Sequence, residues 1–190
     1  MAHLFGYRFR HRWRDIGLVV LLGGCLVGAP ARAQVLSEAA VKAGFVFNFI
    51  QFTQWPSPAS GVKDGERAPL LVCATEVNPL DGQLALLNGR PVGSRLVEVR
   101  VQVPASEWRT CQVLFLSGAD SSRAESAVRG LGTAPVLTLS DVPGFVQLNG
   151  MIGLRLEDSR MRFDVNLGAA QRAGLQLNSQ MVNLAGKVLR

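Results

Sequence analysis

Few residues in this 190-residue sequence have the types and spacing that chemistry needs. Ser60-Gly61-Val62-Lys63 matches the S-x-x-K pattern of penicillin-recognising serine enzymes, whose Ser and Lys must meet across one helical turn. Here the tetrapeptide lies in a Pro/Gly-rich stretch without the companion motifs, and coincidence is the better reading. Asp120, Asp141, Glu157, Asp158 and Asp164 offer carboxylates for paired acid–base work on glycosides. Asp120 and Asp141 stand at strand ends where turns and caps need them, and Glu157-Asp158 falls in a turn. Arg155, Arg160 and Arg162 cluster around that turn, either as a solvated face or as a receiver for an acidic partner or ligand. Asn166, between a strand and a helix, reads most simply as a cap.

The exclusions are firmer. His3 and His11 are the only histidines, and both fall in a segment read below as an export signal. The domain that remains cannot build a Ser-His-Asp or Cys-His nucleophile. It also lacks the ligands for a His/Cys zinc site. No glycine-rich phosphate loop follows a strand, and no calcium loop has its alternating oxygen ligands. No catalytic residue, metal site or cofactor is therefore expected.

Residues 1–33 read as a cleavable signal peptide. Arg8, Arg10, Arg12 and Arg14 precede an apolar run from Leu18 to Ala29, too short to span a bilayer. Ala31-Arg32-Ala33 places the cut before Gln34. Leu22-Gly23-Gly24-Cys25 is the rival, a lipoprotein site, and Gly23 makes it the poorer fit. The formal charge of +6 is carried mostly by this segment, so it gives no argument for nucleic acid. Cys73 and Cys111 remain in an oxidising compartment, where an even pair in a small domain reads as a disulfide rather than two buried thiols.

Residues 34–190 suit one domain with one core. Ser37 caps a helix over Ala39–Phe52, whose Phe45, Phe49 and Phe52 make an inward stripe ended by Trp55-Pro56. Residues 57–69 form an exposed loop. Strands are expected at Leu70–Ala74, Val97–Val103, Val113–Leu116 and Pro135–Leu139, and helices at Pro79–Leu87 and Ser121–Arg129. Ser140-Asp141 caps a short helix toward Leu148, and Met151–Leu156 with Arg160–Val165 make a hairpin. A helix over Ala169–Ala173 stops at Gly174, and a last helix runs from Ser179 to the end. This alternation predicts an α/β fold of three layers: a mainly parallel central sheet, helices on both faces and a C-terminal β-hairpin.

Several segments together resemble the YfiR family of periplasmic proteins, which includes HmsC. Lys42-Ala43-Gly44-Phe45 through Phe49, Phe52 and Trp55-Pro56 match the family's K-A-x-[YF]-x-x-x-F-x-x-F-x-x-W-P helix. Cys111–Ser117, Val136–Asp141 with Phe145, Gly150-Met151-Ile152 and Arg162-Phe163 through Leu175 follow in order. Ser179 and Leu184-Ala185 complete the set. The resemblance implies a non-enzymatic repressor that binds the periplasmic sensor domain of an inner-membrane diguanylate cyclase, lowering cyclic di-GMP and biofilm formation. It also implies frequent homodimers, an outer-membrane or peptidoglycan-associated antagonist, and the Cys73–Cys111 disulfide. A second cysteine pair that some members carry near Phe145–Met151 is absent, and Asn149 stands where many relatives have Gly.

Such a repressor acts only as far as it prefers the cyclase's inactive state. The expected contacts are Phe145, Glu157, Phe163, Arg172 and Gln180, around the hairpin and the helix that follows. The alternative is a periplasmic small-molecule receptor, with its ligand outside the carboxyl ends of the strands near Thr75, Ser117 and Asp141. An enzyme would need a buried carboxylate pair in that place.

Overall fold

The computed structural model describes residues 37–56, 68–118 and 120–190. The signal peptide, its cut before Gln34, the Ser60–Lys63 tetrapeptide and residues 57–67 of the expected loop lie outside the described residues.

Helix α1 (Glu38–Gln51) starts where Ser37 Oγ accepts the Ala40 N–H at 3.2 Å. Val46, Phe49 and Ile50 bury its inner face, while Phe52, expected on that stripe, is the helix cap and is exposed. Then come β1 (Thr53–Gln54), β2 (Leu70–Ala74), a 3-10 segment (Pro79–Leu87), β3 (Pro91–Val92) and β4 (Arg95–Arg100). A 3-10 turn over Ala105–Thr110 leads to β5 (Val113–Leu116), α2 (Ser121–Leu131) and β6 (Leu137–Ser140). After another 3-10 turn (Phe145–Leu148), β7 (Ile152–Glu157) and β8 (Arg160–Asn166) form the hairpin. The chain closes with α3 (Leu167–Arg172), β9 (Gln176–Leu177), α4 (Ser179–Asn183) and β10 (Val188–Leu189).

The eight-stranded sheet runs β10-β8-β7-β6-β5-β2-β4-β3. All neighbours are parallel except β7–β8 and β3–β4. The expected three-layer α/β architecture, mainly parallel with a C-terminal hairpin, is the one observed. Strand β5 shows why: Val113 and Phe115 join one core with α1 and α3, and Leu114 and Leu116 join the other with α2. Both faces of a central strand must be apolar when helices cover both. β1 and β9 pair antiparallel as a separate ribbon, Thr53 opposite Leu177.

Four expectations change. Pro79–Leu87 is no α-helix, because Leu80, Asp81 and Gly82 have φ of 53°, 49° and 79°, left-handed geometry that breaks the ladder. The strand expected through Val103 stops at Arg100, and Gln102 turns away with φ 54°. Ser140-Asp141 caps no helix. Ser140 Oγ instead donates to Leu116 O at 2.6 Å and accepts Val142 N–H at 3.0 Å, and the next 3-10 turn begins after left-handed Gly144. The last helix ends at Asn183. The edge of β8 is open there, and Gly186 N–H donates to Phe163 O at 2.9 Å, drawing the chain back as β10.

Candidate functional site

The C-terminal hairpin is the region where the fold leaves the most chemistry in solvent. Asp158 and Ser159 both have positive φ (48° and 59°), the geometry of a tight hairpin turn that matches strand twist. β6 pairs with β7 only at Ile152 and Gly153, and β10 pairs with β8 only at Val165 and Asn166. Residues 154–162 therefore pair only with each other in the sheet, as a two-stranded ribbon whose outer end, 156–160, is exposed.

The register sorts its side chains. Leu154 faces Phe163 and Leu156 faces Met161 on the side of α1, while Arg155 faces Arg162 and Glu157 faces Arg160 on the other. The apolar side starts in the core, where the Phe163 ring packs edge-on against Phe49 with centroids 5.0 Å apart. It ends in solvent at Leu156, which is 52% exposed. On the charged side Arg155 Nη1 bonds Glu157 Oε2 at 2.7 Å, and its Nε lies 3.3 Å from Asp164 Oδ2. Arg160 and Arg162 are exposed and make no ion pair among the described residues. The ribbon thus offers one exposed apolar side chain, Leu156, on one face and two free guanidiniums on the other.

The residues expected as partner contacts do not gather there. Phe163 is 6% exposed and Phe145 1%, so both are core, and neither ring presents a surface to a partner. The period-two pattern of Met161, Phe163 and Val165 was a readable sign of this for Phe163. Glu157, Arg172 and Gln180 are exposed, on the ribbon, at the end of α3 and at the start of α4. Leu156, the exposed apolar residue of the tip, was missed, although it alternates with Arg155 and Glu157.

The loop from Phe145 to Met151 is held by packing and hydrogen bonds. Phe145 lies beneath Gly150, where any Cβ would meet its ring, and Gly150 N–H donates to Phe145 O at 3.1 Å. Thr138 Oγ1 accepts Met151 N–H at 3.0 Å. Asn149 has φ 65°, the left-handed conformation that Asn tolerates best after Gly. Asn and Gly are therefore the residues that suit this position. Asn166 is the cap its position suggests: Oδ1 accepts Ala169 N–H at 2.8 Å and Nδ2 donates to Val146 O at 3.1 Å.

The carboxyl ends of β2 and β5 flank a small cavity of about 200 Å³. β4 and β5 lie on either side of β2, so this is the point where the winding of the sheet reverses. Thr75 and Ser117 line it, with Glu76 and Arg123 in a loose 3.7 Å pair. Asp141 does not, because Lys42 Nζ holds its Oδ2 at 2.8 Å. Glu76 and Asp120 also line the cavity, one half-buried and the other exposed, so they form no buried carboxylate pair. The disulfide does form: Cys73 in β2 joins Cys111 just before β5, and both are buried.

Comparison with known proteins agrees with this architecture. Residues 39–186 match the YfiR/HmsC-like domain family. A solved structure, a conserved domain protein from Vibrio cholerae O1 biovar El Tor, superposes with a TM-score of 0.51 at 8% identity, covering 80% of this chain. The chain spans 60% of that protein's length, and at this identity the likeness is one of fold. The match over nearly the whole described domain, on the fold and disulfide just set out, shows that the chain belongs to the YfiR/HmsC-like family, a family of periplasmic regulatory domains.

Proposed function

We propose that this chain represses an inner-membrane diguanylate cyclase by binding its periplasmic sensor domain, so lowering cyclic di-GMP and biofilm formation, and that it is not an enzyme. The observation that carries the reading is the two-stranded ribbon, with exposed Leu156 on one side and Arg160 and Arg162 on the other. Such a ribbon suits a partner that grips both of its faces, acidic where it meets Arg160 and Arg162 and apolar where it meets Leu156. Membership of a regulatory family supports it. The contact residues of the proposal are Leu156, Glu157, Arg160 and Arg162.

Titrating the purified chain onto a full-length cyclase in membrane discs tests the reading. Saturable inhibition of cyclic di-GMP synthesis is expected, weakened at least tenfold by Leu156→Glu. Undiminished synthesis at saturating chain would overturn it. A second reading, a small-molecule receptor, is favoured by the cavity at Thr75 and Ser117, where a ligand would sit at the reversal of the sheet.

A further inference from the structure

A groove of about 490 Å³ opens at the amino-terminal ends of β6 and β7, between the last turns of α2 and the side of α3. It is the opposite edge of the sheet from Thr75 and Ser117. Its size falls in the range of small-ligand sites, about 300–1,000 Å³. The floor is apolar, made of buried Leu131, Val136 and Met151.

The polar groups at its walls are unevenly spent. Arg129 Nη2 is taken by Glu125 at 3.1 Å, one turn back on α2. Arg172 makes no ion pair or hydrogen bond among the described residues. Thr138 is 2% exposed, its oxygen accepts Met151 N–H, and its hydroxyl proton meets no acceptor among the described residues. The end of α2 and the Glu125 carboxylate on the same wall would repel an anion if bare, but Glu125 is paired with Arg129 and three of the terminal carbonyls are engaged. Val128 O accepts Gly132 N–H at 3.1 Å, Leu131 O accepts Ala134 N–H at 3.1 Å, and Gly130 O accepts from Arg109 at 2.8 Å.

We propose that this groove is a binding site for a small amphiphilic anion, one acidic head on an apolar body. The head pairs with the Arg172 guanidinium and takes the Thr138 hydroxyl proton, and the body lies on Leu131, Val136 and Met151. A charge-assisted hydrogen bond to an unspent guanidinium is the strong contact, and the apolar floor selects against fully polar anions. Carboxylate and phosphate heads share this chemistry. The site stands apart from the ribbon and does not rest on repression of a cyclase.

Octanoate, octyl phosphate and octanol titrated into the ¹⁵N-labelled chain test it. Both anions should shift the amides of Gly132, Asn149 and Met151 and bind at least tenfold more tightly than octanol, about 1.4 kcal/mol. The tighter of the two anions identifies the head group. Arg172→Ala, at an exposed position, should weaken both anions about tenfold and leave octanol unchanged, and Thr133→Trp on the rim should block all three. Octanol matching octanoate, shifts at other amides, or an Arg172→Ala chain binding like wild type would overturn the proposal.

Discussion

Lys42 in α1 and Asp141 after β6, ninety-nine residues apart, close a part-buried ion pair of 2.8 Å, with Glu38 on the same ammonium at 2.8 Å. The pair fastens the first helix to the carboxyl end of a central strand. It also removes Asp141 from the ligand cavity where sequence position alone would put it.

Burial pulls the Lys42 ammonium down, but its hydrogen bonds and charge interactions with Asp141 and Glu38 outweigh that and leave its pKa above the usual 10.5. A raised pKa in the folded state stabilises fully below pH 10.5, and that stabilisation is lost as pH rises through the folded value. Lys42→Met should cost about 1 kcal/mol at pH 7 to 9. In thermal melts the gap from wild type should narrow above pH 10.5. A gap that is constant to pH 12 would show that the loss is one of packing.

Asp120 caps α2, its Oδ1 accepting from Ser122 Oγ at 2.6 Å and from the N–H groups of Ser122 and Arg123. The Ser122 hydroxyl first, then the Arg123 N–H, hold its carboxyl below the usual 3.8. A lowered pKa stabilises above pH 3.8 and the contribution fades as pH falls through the folded value. Asp120→Ala should therefore melt earlier than wild type at pH 7, and the two should converge in acid. Equal melting at pH 7 would remove the cap's role.

Gly150→Ala puts a methyl into the Phe145 ring, which is fully packed and has no room to yield. Overpacking of this kind costs about 1–3 kcal/mol in urea unfolding. Asn149→Gly should be neutral or stabilising, and Asn149→Val should cost about 1–2 kcal/mol, because left-handed geometry penalises branched residues.

The disulfide is 38 residues in span, and its cysteines are 1% and 2% exposed. Cys73→Ala with Cys111→Ala should lose up to about 4 kcal/mol, the chain-entropy contribution of such a loop. Its burial predicts a structural role. Iodoacetamide labelling after dithiothreitol treatment should modify neither Cys73 nor Cys111 in the native chain and both after unfolding. Ready reduction of the native chain would instead point to a redox switch.

Where a segment's own pattern decides its structure, the sequence could be read. β2 and β5 fall on the expected residues because strands covered on both faces are continuously apolar, and the hairpin register follows from alternation on either side of Asp158-Ser159. The errors come where distant partners decide. β10 forms because β8 offers an open edge, and β1 forms because β9 lies opposite it. Phe145 has no periodic neighbours to mark it as core. Its place is set by Gly150, which only the folded loop brings near. The groove at Arg172 was invisible for the same reason, since its walls come from α2, α3 and the loop before β7.

The most direct test of the account is cellular cyclic di-GMP after deletion of the gene and its return as wild type or as Leu156→Glu, with the variant's fold checked by its melting curve. Repression through the ribbon predicts a rise on deletion that wild type reverses and the folded variant does not. Unchanged cyclic di-GMP on deletion would contradict repression, and full reversal by Leu156→Glu would contradict the ribbon as its contact surface.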